Sequence, residues 1–149
     1  MVRFRLPLVP RSLRWSAVAV VAATICYYSV FTPPGSGAIR TGPLGVLAYG
    51  TWLHGLAYAG LALTLAYAFQ DVSWRDRSVL VVVFLVAVGY GVGIELLQST
   101  LETRTADKTD VLVNATGAAI AAVCWRVALR VIRFYRARRL TELRSPVTR

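Results

Sequence analysis

Between Gly89 and Gly117 the chain reads GYGVGIELLQSTLETRTADKTDVLVNATG, and four of its seven acidic residues fall there: Glu95, Glu102, Asp107 and Asp110. Arg104 and Lys108 stand among them. Paired carboxylates suit general acid–base work. A guanidinium held between carboxylates offsets their repulsion and fixes their geometry. Helical spacing sorts the cluster. Glu95, Gln98 and Glu102 are three and four residues apart and share one face of a helix that continues that far. Asp107, Asp110, Asn114 and Gly117 are three, four and three apart and share another. Asp107 suits an N-cap, and Asp110 in a first turn meets the positive end of the helix dipole. Arg104, in the connection, can reach carboxylates on either helix. Glu95 and Asp110 are the candidates for a general base.

Other chemistries find less support. His54 is the single histidine. An imidazole can act as a base or a metal ligand, but with no second histidine and only scattered carboxylates no metal is expected, and no cofactor. GYGVG lacks the strand-then-helix setting of a nucleotide loop. Gly89 and Gly93 instead form a small-xxx-small pair suited to close helix packing, with Gly117 a third packing glycine. Ser99 and Thr105 belong to no nucleophile motif. Asn114-Ala-Thr116 matches a glycosylation sequon, but its place in the first turns of a span argues against modification. Cys26 and Cys124 sit in apolar segments and read as small buried hydrophobes.

The elements that must position these residues are apolar. The chain is 56% hydrophobic and 16% charged, with a mean hydropathy of +0.57. That fits a multi-span membrane protein rather than an ordinary soluble domain. The spacing predicts an all-α, integral membrane four-helix bundle with spans at about 15–31, 50–69, 78–98 and 110–129. The first holds 17 residues, about 25 Å of helix, near the minimum for a crossing. Residues 1–31, a basic start and an apolar run, also resemble a signal peptide, although Tyr27 and Tyr28 suit an interfacial belt. Residues 1–14 and 134–149 are basic tails around a membrane domain of residues 15–133. The stretch from Arg126 onward puts Arg126, Arg130 and Arg133 on one helical face, as in a helix extended along an anionic surface or a simple topology anchor.

The net charge is +10, nearly all from arginine near the chain ends, which orients a membrane protein and does not call for nucleic acid. With four spans and both termini cytoplasmic, 14 Lys and Arg residues fall inside and three, Arg40, Arg104 and Lys108, outside. The Glu95–Asn114 region then lies at the outer face. His54 starts the second span from the same face.

The ordered set Glu95-x-x-Gln98, Arg104, Asp107-x-x-Asp110 and Asn114-x-x-Gly117 resembles the signature of the VanZ-like membrane family. His54-Gly-Leu-Ala-Tyr58 resembles the family's His with a Tyr four residues later in an earlier span. The likeness covers roughly residues 50–125 and departs at Thr100–Thr103, where the family usually carries a Pro or a bulky residue before the Arg. It implies a small multi-pass protein of the cell membrane, named for a member linked to glycopeptide (teicoplanin) resistance, and adds His54 and Tyr58 to the polar set. It implies no established reaction.

Several functions stay open. The set His54, Tyr58, Glu95, Gln98, Arg104, Asp107, Asp110 and Asn114 can be a satisfied polar network that locks helices together. It can engage the headgroup of a membrane lipid or of an envelope-precursor lipid. It can belong to an intramembrane enzyme with Glu95 or Asp110 as base. A small transporter or assembly partner is a further alternative, one that needs a homo-oligomer to make a pathway.

Overall fold

The computed structural model describes residues 4–31, 42, 45, 48–101 and 108–135, Lys108 by its backbone alone. Four helices carry the fold: α1 (Arg11–Phe31), α2 (Tyr49–Ala68), α3 (Asp76–Ser99) and α4 (Lys108–Val131). They hold 20 to 24 residues each and rise about 30–36 Å, enough to cross a hydrocarbon core. All four are apolar enough for that role. The helices outrun the apolar runs. α1 opens at Arg11, where Pro10 accepts the amide of Arg14 at 3.2 Å, and so takes in two arginines assigned to the tail.

The side-chain distribution is that of a protein in lipid. The interior is built from small residues, among them Ala62, Ala66, Ala87, Ala118 and Ala121. Large apolar residues such as Val20, Leu56, Leu85, Leu96, Leu112 and Val123 face out. In lipid nothing drives a leucine inward, whereas small residues let backbones approach closely. α2 packs on all three other helices, most extensively on α4, while α1 lies against α2 and α3. A Cβ added at Gly117 would run into the Gly55 carbonyl oxygen, so the α2–α4 contact is backbone against backbone.

The chain ends form a small parallel pair. β1 (Phe4–Pro7) runs beside β2 (Ile132–Tyr135) in the register Phe4↔Ile132 to Pro7↔Tyr135. The Leu8 amide donates to the Tyr135 carbonyl at 2.8 Å. This corrects the expectation of a helix continuing through Arg133 into the tail. Ile132 and Phe134 alternate with exposed Arg133 and Tyr135, a two-residue period. Phe134 stacks on Trp125 with ring centroids 5.9 Å apart and also meets Tyr67 at 5.3 Å. Inward packing of Phe134 and main-chain bonds to β1 together favour the extended form. Residues 136–149 lie outside the described residues.

At this terminal end Arg14, 3% exposed, ties three elements together. Its Nε donates to the Val9 carbonyl at 3.0 Å. Its Nη1 donates to the carbonyls of Tyr67 and Ala68 at 3.0 and 2.9 Å. Its Nη2 pairs with Asp71 Oδ2 at 2.9 Å. Asp71 closes a 3₁₀ turn, Phe69–Asp71, that follows α2. The guanidinium thus caps carbonyls of the last turn of α2, where a helix end leaves acceptors under-satisfied. Apolar spacing gave no sign of it, because an arginine beside other arginines reads as topology.

Candidate functional site: the loop end of the bundle

The up-and-down connection brings the ends of α1 and α3 and the starts of α2 and α4 to one end, opposite the chain termini. α2 and α4 are therefore parallel neighbours. Each carries a polar pair one turn apart: His54 and Tyr58 on α2, Asp110 and Asn114 on α4. The pairs meet as two rungs. In the outer rung His54 Nε2 lies 3.7 Å from Asp110 Oδ2, with the side chains 21% and 26% exposed. In the inner rung Tyr58 and Asn114 are 0% and 2% exposed.

α3 closes the inner rung from the side. Gly91 faces it: a Cβ there would stand 3.1 Å from the Tyr58 ring and 3.4 Å from the Asn114 amide nitrogen. A Cβ there would be a tight fit, so the bare glycine backbone favours the close approach of α3 to both side chains. Glu95 and Gln98, one and two turns further along the same face, are also buried. Gln98 Nε2 donates to the Ser29 carbonyl of α1 at 2.7 Å, and Tyr90 Oη donates to the Ala22 carbonyl at 2.6 Å. These two bonds fasten α3 to α1. Tyr90 also packs near Tyr58, with ring centroids 6.3 Å apart.

Among the described residues, Tyr58 Oη and Asn114 Oδ1 are buried and meet no hydrogen-bond partner. A buried polar atom left so costs about 1–3 kcal/mol. The neighbouring carboxylates, Glu95 inside and Asp110 at the rim, make this layer acidic. The histidine beside Asp110 supplies a donor.

The structure thus gathers His54, Tyr58, Glu95, Gln98, Asp110 and Asn114 at one end of the bundle. Burial of Asn114 removes it from glycosylation. Glu102, Arg104, Thr105 and Asp107, and with them the expected bridge between carboxylates, lie outside the described residues. Gly117 packs as a helix-contact glycine, but Gly89 and Gly93 do not in this chain: a Cβ at either would meet nothing within 4 Å. Within the helices, the glycines against a neighbouring helix are Gly55, Gly91 and Gly117. Ser29, Tyr90 and Gly91 escaped the sequence reading. Ser29 contributes a main-chain oxygen, for which no side-chain type gives a signal. No three His, Cys, Asp or Glu residues come together as a metal-ligand group among the described residues. Cys26 is half-buried and Cys124 exposed, and both are free.

Neither the curated proteins nor the solved structures give a match. The VanZ/LLP1 family model matches residues 8–130, from the approach to α1 to the last turn of α4. With four helices able to span a membrane and that match over most of its length, the chain belongs to the VanZ/LLP1 family as a multi-pass membrane protein.

Proposed function

We propose that the loop end of the bundle holds the polar headgroup of a membrane lipid or of a lipid-borne envelope precursor. The inner rung carries this reading. Tyr58 Oη and Asn114 Oδ1 are buried with no partner among the described residues, and a ligand hydroxyl or amide that meets them offsets their desolvation. The outer rung suits the approach to them, since His54 and Asp110 are partly exposed and offer a donor and an acceptor. The basic-residue count supports placing this end outside, and in the cell membrane that is the side on which such precursors are exposed. Glycopeptide resistance is the setting that the family's name suggests.

One observation favours a second reading. A histidine beside a carboxylate is a unit for moving protons, and His54–Asp110 is such a pair. An intramembrane enzyme acting on the same headgroup would use Asp110, at the partly exposed rim, as its base. Asp110→Asn, which keeps an acceptor oxygen at the rim but no basic carboxylate, would then stop turnover while weakening lipid retention far less.

The test of the binding reading is Tyr58→Phe, which removes one oxygen and keeps the ring. Lipids retained by the purified full-length protein are compared by mass spectrometry, alongside thermal stability. We expect occupancy of the retained polar lipid to fall about tenfold, the equivalent of one hydrogen bond of about 1.4 kcal/mol, with stability unchanged or raised. An unchanged lipid profile with lowered stability would make the rungs a structural network and end the proposal.

A further inference from the structure

The opposite end of the bundle carries a second polar feature, independent of the headgroup reading above. Arg75, Arg77 and Arg126, with Asp76, Leu80 and Leu129, line an open cleft of about 410 Å³ between the start of α3 and the last turns of α4. All three arginines are exposed, and none makes an ion pair among the described residues. Asp76 is the single carboxylate among them. Three guanidiniums thus face one carboxylate, and the cleft is strongly positive.

Its floor is apolar, with Leu80 and Leu129 half-buried. The first turn of α3 adds to the positive field: Arg75 is its N-cap residue and no side chain caps its amides. Beside the cleft Trp74 is 53% exposed and stacks on Phe69 at 6.4 Å between ring centroids. A smaller hollow that includes Trp74 and Trp125 continues from it and shares Asp76, Leu80 and Leu129. Indole rings with one wet edge sit at the headgroup level of a bilayer. Positive charge, an apolar floor and flanking tryptophans occur together at the ends of two spans.

From this geometry we infer that the cleft binds the phosphate of an anionic phospholipid in the leaflet at the terminal end of the bundle. The guanidiniums take the phosphate oxygens through their planar N–H forks, which lysine cannot match. Leu80 and Leu129 meet the upper methylenes of an acyl chain. A purely topological role for these arginines requires only their charge, so any three arginines at this end would serve equally. A built site requires these three.

The full-length protein in a neutral detergent is titrated with phosphatidylglycerol, phosphatidylcholine or inorganic phosphate, and binding is read by native mass spectrometry. The variant Arg75→Gln/Arg77→Gln/Arg126→Gln is compared with Arg5→Gln/Arg130→Gln/Arg133→Gln, which loses the same charge away from the cleft lining. Wild-type protein should prefer phosphatidylglycerol to phosphatidylcholine. The cleft variant should lose at least about tenfold in phosphatidylglycerol binding, on a scale of about fivefold per arginine. The off-cleft variant should stay within about twofold. Arg126→Gln alone, a surface change with little bearing on folding, should lose about fivefold and carries the test if the triple variant is poorly expressed. Equal losses in the two triple variants, or no preference for the anionic lipid, would overturn the proposal. So would displacement of phosphatidylglycerol by millimolar inorganic phosphate, which would make the occupant a soluble anion.

Discussion

Arg14→Ala should be among the most destabilising single changes at the terminal end. The guanidinium makes four polar contacts, to the carbonyls of Val9, Tyr67 and Ala68 and to Asp71, at 2.9–3.0 Å. Its side chain is 2% exposed and that of Asp71 12%. Polar contacts between membrane helices average about 0.6 kcal/mol, which for these contacts gives a lower bound of about 2.5 kcal/mol. Removing one member of a buried ion pair costs about 3–5 kcal/mol. The loss should therefore be about 3 kcal/mol. Arg14→Lys keeps the charge but not the fork, and should recover less than half. Asp71→Asn should cost about 1 kcal/mol, and the double variant should show coupling of about 0.5–3 kcal/mol between the two residues. Trp15 packs edge-on against Phe69 at 5.3 Å beside this clamp, so tryptophan fluorescence during unfolding in mixed micelles reports on it. A loss below about 1 kcal/mol for Arg14→Ala, with no coupling to Asp71, would reduce this arginine to one more orienting charge.

Two further outcomes are expected. Gly117→Val drives a branched side chain into the Gly55 carbonyl and should cost about 3 kcal/mol or more, because backbone cannot yield as a side chain does; Gly89→Ala and Gly93→Ala, with open space beside them, should change thermal stability by less than about 1 kcal/mol or raise it slightly. With Cys26 and Cys124 replaced by Ser, a cysteine introduced by Thr100→Cys at the loop end should react in intact cells with an impermeant maleimide, whereas one introduced by Arg133→Cys should react only after lysis; the reverse pattern would invert the orientation.

The helices were legible because lipid imposes one simple demand. Every backbone group must be satisfied within its own segment, so uninterrupted apolar runs of this length become helices. Their ends were not legible to the same degree. α1 begins at Arg11 because Pro10 supplies a fixed start and because Arg14 finds carbonyls on α2, a partner 53 residues away in sequence. The strand pair was harder still. Four-residue strands carry almost no periodic signal, and β1 meets β2 only because the bundle returns the chain to its starting end. The arginines at 126, 130 and 133 fit a helical spacing, whereas the Ile132-Arg133-Phe134-Tyr135 alternation is too short to signal a strand without its partner.

The site was legible where one helix sufficed and illegible where two had to be phased against each other. Spacing put Glu95 with Gln98, and Asp110 with Asn114 and Gly117. It did not by itself bring His54 and Tyr58 to them; the basic-residue count put His54 at the same face, the family resemblance added both to the polar set, and the parallel course of α2 and α4 supplies the physical reason. The glycines show the same distinction within a single helix. Once Glu95 is placed inward, Gly91, four residues earlier and about 40° away around the helix, must face inward too. Gly93 and Gly89 lie two and six residues away, on the far side. The small-xxx-small pattern at Gly89 and Gly93 and the inward placement of Glu95 could therefore not both describe contacts inside one chain. Burial decides between them: Glu95 is 6% exposed, and Gly91 rests against Tyr58 and Asn114. The polar residue carries the phase of α3 within the chain, because only one side of the helix offers it an escape from lipid, and it leaves Gly89 and Gly93 on the outward side.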